Sequence, residues 1–224
     1  MTTTTHIFLA GASRGVGAQL AYTLSQHNQK ITALLRSETT KAQLESMGLN
    51  TVLGDALDAK AMENIMQECQ PIDVVISTIG GLPKEGQRAD YLGNKNLVDA
   101  AVKAGVKKFI LVSSIGAGNS KIALSPQVLE TLGAVLIEKE KAEQHLINSG
   151  LTYTIIRPGG LKSEPATGNG ILTEDERIAG TIHRPDVAHL VWKCLCSEQS
   201  HNKIFSAIDR NMAYGQLEIK EFTF

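Results

Sequence analysis

Short apolar runs alternate with longer amphipathic stretches along the chain, and this alternation constrains the fold more than any other feature of the sequence. The apolar runs are HIFLAG, KITALLR, NTVLGD, DVVISTIG, KKFILVSS, TYTIIRPGG and KIFSAI. Helical patterns lie between them, the first over residues 15–29 and the last over residues 184–198. Continuous apolar strands that alternate with helices are typical of a parallel sheet covered by helices on both faces.

The simplest arrangement of these elements is a doubly wound α/β sheet of the Rossmann type, because short connections and right-handed crossovers favour it. A chain of 224 residues fits a single domain of this class, which we place over residues 1–224. Residues 159–181 depart from the alternation, with five glycines and little periodicity. We predict an irregular active-site loop there, although a surface insertion without function fits the pattern equally well.

Charge and composition exclude several classes of function. Lys plus Arg number 22 against 23 for Asp plus Glu, so no basic field is available to recruit nucleic acid. No run approaches the ~18 apolar residues of a membrane span, and the amino terminus lacks the basic region of a signal peptide. We therefore expect a cytoplasmic protein, a monomer or small homo-oligomer, that neither enters a membrane nor binds nucleic acid.

The metal-binding and thiol chemistry expected of this chain is limited. Cys69, Cys194 and Cys196 show no paired spacing, which predicts free thiols in a reducing compartment. The six histidines are scattered without the spacing of metal ligands. The sequence therefore predicts no disulfide and no metal site.

The segment GASRGVG follows the first apolar run and opens the first helix. Glycine permits a tight turn and a close approach of the backbone, and a helix amino terminus offers free N–H groups to an anion. Gly11, Gly15 and Gly17 in this context predict a pyrophosphate site of a dinucleotide. The intervening Ser13, Arg14 and Val16 are part of the same predicted site.

The residue at the end of the second strand indicates which dinucleotide is bound. Many NAD sites have a carboxylate about 20 residues after the glycines, whereas this chain has Arg36 and then Ser37. A guanidinium binds the additional phosphate of NADP through charge-assisted hydrogen bonds, while a carboxylate would repel it. Arg14 could reach the same region, and the two arginines together favour NADP(H).

The ends of the later strands complete the predicted cofactor site. Asp55 could accept a hydrogen bond from the adenine amino group or cap the next helix, a role that Asp58 fits better. Small residues at the end of the fourth strand would let the chain pass close to a ribose. The remaining residues that we predict to contact the cofactor are Ala56, Thr78, Ile79, Gly80, Ser113, Lys139, Pro158, Gly159 and Gly160.

Several segments in this order resemble the short-chain dehydrogenase/reductase superfamily. They are GASRGVG, the strand end Gly54–Asp55, the VSS that ends at Ser114, and KEKAEQHLINSGLTYTIIRPGGL and HRPDVAHLV in the second half. The last two resemble the atypical, single-domain branch, which includes biliverdin IXβ/flavin reductases and regulatory dinucleotide sensors. In the last segment we expect Asp186 to cap a helix, and Arg184 or His183 to fix the preceding loop.

The resemblance implies a catalytic Tyr-x-x-x-Lys motif, in which the lysine binds the nicotinamide ribose and the tyrosine gives a proton. Lys139 matches the lysine, because Glu143 follows it as in the family pattern, and the tyrosine position then falls on Val135. Lys141 is the alternative lysine. Ser114 matches the active-site serine, and Pro158 to Gly160 match the turn beside the nicotinamide. We therefore predict Ser114 and Lys139 as the catalytic residues.

Two classes of function are consistent with the missing tyrosine. The first is an NADPH-dependent reductase whose acceptor is a small conjugated molecule (a flavin, a quinone or a linear tetrapyrrole such as biliverdin), because such an acceptor can take its proton from solvent. The second is a non-catalytic NADP(H) sensor or assembly factor. A sugar-nucleotide epimerase fits less well, since the chain lacks the length for a separate substrate domain.

Overall fold

The computed structural model describes residues 4–81 and 87–224, and a large parallel sheet forms its centre. The strands are β1 (His6–Ala10), β2 (Lys30–Leu35), β3 (Asn50–Leu53), β4 (Val74–Ser77), β5 (Lys108–Val112), β6 (Thr152–Pro158), β7 (Gly160–Lys162), β8 (Gly170–Thr173), β9 (Thr181–His183) and β10 (Lys203–Asp209). Eight of them form the sheet in the order β3-β2-β1-β4-β5-β6-β10-β8. All neighbours pair in parallel except β8, which runs antiparallel to β10.

Helices cover both faces of the sheet. They are α1 (Gly15–Ser25), α2 (Lys41–Ser46), α3 (Ala59–Glu68), α4 (Leu92–Lys103), α5 (Pro126–Ile147) and α6 (Arg184–Cys196). One buried cluster joins α1 and α6 to alternate strand residues such as Leu9 and Ile76, and the other joins α3, α4 and α5 to Phe8 and Phe109. The predicted fold, a single doubly wound α/β domain, is confirmed.

No helix of the described part of the chain has the length and apolar character that a membrane crossing requires. The three cysteines carry free thiols in the structure. Cys194 is fully buried, and burial raises the pKa of its thiol to about 12. That thiol is therefore protonated and unreactive at neutral pH.

Helix α5 begins earlier than the sequence pattern indicates. Its amphipathic pattern predicts a helix over residues 133–150, preceded by a loop, but the helix begins at Pro126. Proline is favoured at the first helical position because its fixed φ suits a helix start. The first two turns escape detection because Val128 and Leu132 remain exposed, so this part of the helix has no buried apolar face.

Residues 159–181 contain more regular structure than the sequence predicts, although most of the segment lies outside strands. They contain β7, the antiparallel edge strand β8 and the first residue of β9, and β7 pairs in parallel with β9. Asp186 does not cap α6, because its carboxylate accepts from the backbone N–H groups of Thr167 and Gly168. Strands of three or four residues, broken by glycines, carry too little periodicity to be predicted.

Candidate dinucleotide site

The turn between β1 and α1 requires glycine at three positions. Gly11 and Gly15 have φ of +96° and +59°, in the left-handed region that favours glycine. A Cβ atom on Gly17 would overlap the carbonyl oxygen of Gly11. The Oγ1 of Thr78, just after β4, donates to that same oxygen at 3.2 Å. The glycines therefore allow β1, β4 and α1 to approach one another closely.

The amino terminus of α1 is available to an anion. Arg14, at the cap position, makes no side-chain capping hydrogen bond, and the first turn holds no acidic residue. A Cβ atom on Gly15 would have the Arg184 Nε at 3.7 Å as its nearest neighbour, so the space above this residue is open. Ser13, Arg14 and Gly15 are exposed, whereas Val16 and Gly17 are buried below them. Open space over a helix start fits a pyrophosphate group.

The two arginines predicted to bind the additional phosphate lie near the ends of different strands in the structure. Arg36 and Ser37 are exposed directly after β2, and the Thr40 hydroxyl donates to the Ser13 Oγ at 3.2 Å, which joins this segment to the glycine turn. Arg14 instead lies with Nη2 3.9 Å from the position of a Cβ on Gly81, after β4. Joint binding of the additional phosphate by Arg14 and Arg36 stays a prediction.

The two aspartates that follow β3 make different contacts. Asp58 caps α3 by accepting from the Ala61 N–H at 2.9 Å, as expected. The exposed Asp55 accepts only a local bond from the Leu57 N–H, and Ala56 is buried beside it. The contact of Asp55 with adenine stays a prediction.

The end of β4 brings together Gly80 and the two charged groups Lys139 and Asp90. A Cβ atom on Gly80 would lie 2.5 Å from the Asp90 Oδ1 and 3.1 Å from the Lys139 Nζ, and Ile79 precedes it. Lys141, the alternative lysine, is instead exposed and pairs with Glu138 at 2.8 Å. The geometry favours Lys139 for the ribose position.

Asp90 is a residue of the site that the sequence analysis missed. Its carboxylate is fully buried, lies 3.2 Å from the Lys139 Nζ and 3.4 Å from the Arg88 Nε, and accepts from the Gly81 N–H at 3.3 Å. It therefore orients the Lys139 ammonium and anchors the backbone after β4. The sequence around Asp90 gives no sign of this role, because an aspartate just before a helix is typical of a cap.

The ends of β5 and β6 form the remaining wall. The Ser114 hydroxyl donates to the carbonyl oxygen of Ile115 at 2.9 Å. The Ser113 hydroxyl is buried and has no hydrogen-bond partner among the described residues. Pro158 is buried, and a Cβ on Gly159 would overlap the Gly180 carbonyl oxygen, to which the Gly160 N–H donates. Because buried hydroxyls are normally paired, the Ser113 hydroxyl is open to a partner from beyond the described residues.

The open helix start, the glycine cradle, the exposed Arg36 and the Ser113 hydroxyl, which has no partner among the described residues, fit a nicotinamide dinucleotide. These features lie at the carboxyl ends of parallel strands, where doubly wound sheets bind their ligands. The predicted site residues from both halves of the chain thus lie along one edge of the sheet.

Comparison with known proteins gives the same assignment. A family model described as NAD(P)H-binding matches residues 11–198. The uncharacterized sugar epimerase YhfK of Bacillus subtilis is 36% identical over 206 residues, covering 89% of this chain and 92% of that protein. Sanguinarine reductase of Eschscholzia californica is 30% identical, covering 89% and 87% of the two chains.

A solved structure is also similar over almost its whole length. ChuY, an anaerobilin reductase from Escherichia coli O157:H7, superposes with a TM-score of 0.85 at 31% identity, covering 93% of this chain and 98% of its own. The chain therefore belongs to the NAD(P)H-binding family and is an oxidoreductase of the atypical short-chain dehydrogenase/reductase type.

Proposed function

We propose that the protein reduces a conjugated small molecule with hydride from NADPH. The observation that carries this proposal is the surface of α5 beside the dinucleotide site. Lys139 reaches Gly80 from this helix, and Val135 occupies the position one turn earlier, where the family resemblance implies tyrosine. A valine can neither give nor take a proton, so the substrate must be one that needs no phenol beside it.

The same face of α5 continues as an apolar stripe away from Lys139. Val128 and Leu132 precede Val135 by seven and three residues, spacings that place the three side chains on one side of a helix. Val128 is 38% exposed and Leu132 is 40% exposed. An apolar surface that is left in solvent next to a cofactor site favours a flat, hydrophobic acceptor.

The residues at the site bind and orient the reactants in this reaction. Bound NADPH supplies the hydride, while the protein binds and orients the two reactants. Lys139, oriented by Asp90, provides a positive charge at the ribose position, and the Ser114 hydroxyl can turn from the Ile115 carbonyl oxygen to the substrate. The proton that completes reduction comes from solvent, because conjugation stabilises the charge left by hydride addition.

The similar proteins support a reductase, and one of them suggests the class of acceptor. Their names include sanguinarine reductase and anaerobilin reductase. Among the three acceptor classes, the similarity to anaerobilin reductase favours the linear tetrapyrrole. A cytoplasmic location and a monomer or small homo-oligomer stay predictions.

We expect Arg36→Asp to change the preference for the cofactor. The guanidinium is exposed after β2 and forms no ion pair within the described residues, so it is free to bind the additional phosphate. Its replacement by a carboxylate should weaken NADPH binding about 10- to 100-fold, because this is the contribution to affinity expected of hydrogen bonds to a charged group. NADH binding should stay nearly unchanged. The ratio of the two dissociation constants, measured by fluorescence titration, tests this.

Lys107→Asp is the matched control for Arg36→Asp. Lys107 is also exposed, and it directly precedes β5, at the end of the strand opposite the dinucleotide site. The variant therefore changes the net charge equally without touching the predicted phosphate position. An unchanged ratio in Arg36→Asp, or an equal change in Lys107→Asp, would contradict the assignment of NADPH.

Turnover with a panel of acceptors tests the reaction itself. We expect NADPH oxidation with biliverdin, flavin mononucleotide or menadione, and none with simple ketones, because Val135 leaves ketone reduction without a proton donor. Lys139→Met should lower kcat/KM about 10- to 100-fold. Tight NADPH binding without turnover of any acceptor would instead support the sensor or assembly factor, which the missing tyrosine also favours.

A further inference from the structure

Arg184 lies where the first residue of α6 meets the glycine turn. Its Nε is 3.7 Å from the position of a Cβ on Gly15, and its Nη1 donates to the Ser163 hydroxyl at 2.7 Å and to the Leu161 carbonyl oxygen at 3.4 Å. The side chain therefore connects the start of α1 to the segment around β7. From the sequence alone, this arginine is expected at most to fix the adjacent loop.

The charge of Arg184 is not neutralised within the described residues. Arg88, Arg157, Arg177 and Arg210 each lie within 4.0 Å of a carboxylate. Arg184 has only neutral oxygen partners, and Arg14 and Arg36, which also border the dinucleotide site, likewise form no ion pair among the described residues. A half-buried guanidinium without a counter-ion, facing an open helix start, is placed to bind an anion.

The neutral contacts occupy only one edge of the guanidinium. Both acceptors of the segment around β7 are reached by Nη1. The Nε side faces Gly15, so Nε and Nη2 remain available to bind two oxygens of one phosphate side by side, a geometry that lysine cannot reproduce.

We propose that Arg184 binds the pyrophosphate of the dinucleotide from the side opposite the α1 amino terminus and connects cofactor binding to the position of β7. The pairing of β7 with β9, which ends directly before Arg184, makes this connection short. The proposal rests on the dinucleotide binding of the family and does not depend on the identity of the acceptor.

Binding titrations with Arg184→Met and Arg184→Lys test the proposal. We expect Arg184→Met to weaken NADPH and NADH equally, about 10- to 100-fold each, because both carry the pyrophosphate. Arg184→Lys should restore only part of the affinity, since it keeps the charge and loses the paired donors. Adenosine 2′-monophosphate, which has no pyrophosphate, should bind Arg184→Met as it binds the unmodified protein, whereas Arg36→Asp should lose this probe.

Three results would overturn the role of Arg184: undiminished binding of both dinucleotides by Arg184→Met, a loss confined to NADPH, or an equal loss of adenosine 2′-monophosphate.

Limited proteolysis is a second measurement, which separates the proposed role of Arg184 from misfolding of the variant. Trypsin cleavage after Lys162, which is exposed in β7, should slow when NADPH is added to the unmodified protein and should not slow in Arg184→Met at a saturating concentration. Equal protection in both proteins would also overturn the connection to β7. Failure of the acceptor panel would leave these binding results unaffected.

Discussion

Gly15→Val should lower the affinity for NADPH at least about 100-fold and leave a folded protein. Among the described residues, only the Arg184 Nε lies within 4 Å of a Cβ at this position, so the branched side chain would stand in the open space above the start of α1 and exclude a phosphate from the helix N–H groups. Titration with NADPH, together with a circular dichroism spectrum, measures both parts of the expectation.

The backbone strain of this substitution needs its own control. Gly15 has a φ of +59°, and a β-branched residue there costs about 1–2 kcal/mol of folding free energy. Gly105→Val imposes similar strain, because Gly105 has a φ of +70° and also has open space around its Cβ position. Gly105 follows α4, away from the dinucleotide site, so this variant should lose similar stability and keep NADPH binding. If Gly15→Val kept its affinity for NADPH, the glycine turn would have only a structural role.

Glu143→Ala should lower the free energy of unfolding by about 3–5 kcal/mol, the cost of leaving one member of a buried ion pair uncompensated. The Glu143 carboxylate is fully buried and binds Arg157 through two hydrogen bonds, Nε–Oε1 at 3.1 Å and Nη2–Oε2 at 2.6 Å. Without the carboxylate, Arg157 keeps only its bond to the Asn119 Oδ1 among the described residues. For a chain of this size the expected fall in Tm is about 6–20 °C.

Urea denaturation, followed by the fluorescence of Trp192, measures the change for Glu143→Ala, with Glu138→Ala as the control. Glu138 lies on the same helix and pairs with Lys141 at 2.8 Å, but this pair is partly exposed to solvent. Loss of an exposed pair should cost less than about 1 kcal/mol. Equal effects of the two variants would show that the Glu143–Arg157 pair contributes no more than a surface contact.

The sequence predicted the strands and helices whose buried residues leave a regular apolar pattern in the sequence. The seven parallel strands and the helix starts at Gly15 and Arg184 follow from apolar runs, glycines and a proline, and all are found. The fold follows from them because right-handed connections leave few other arrangements. The strand pattern placed Gly80 at the predicted cofactor site and the family resemblance placed Lys139 there, and the structure brings the two together.

The parts that the sequence did not predict depend on contacts between distant residues. Strand β8 forms because its four residues pair with β10, and Asp90 belongs to the site because tertiary packing places its carboxylate 3.2 Å from the Lys139 Nζ. The Arg14 side chain reaches the neighbourhood of Gly81, after β4, a direction that the local sequence does not encode. These features depend on packing between residues that are far apart in the sequence, and no periodicity of the sequence predicts them.

The placement of β8 bears on attempts to change the acceptor of this protein. Residues 159–181 supply both β7, which Arg184 holds beside the glycine turn, and the last strand of the large sheet. An exchange of the whole segment for that of another family member would therefore replace an edge strand along with the contacts of Arg184. Libraries restricted to positions 164–169, between the two strands, would vary the predicted active-site loop and keep those contacts and the strand pairing of the sheet.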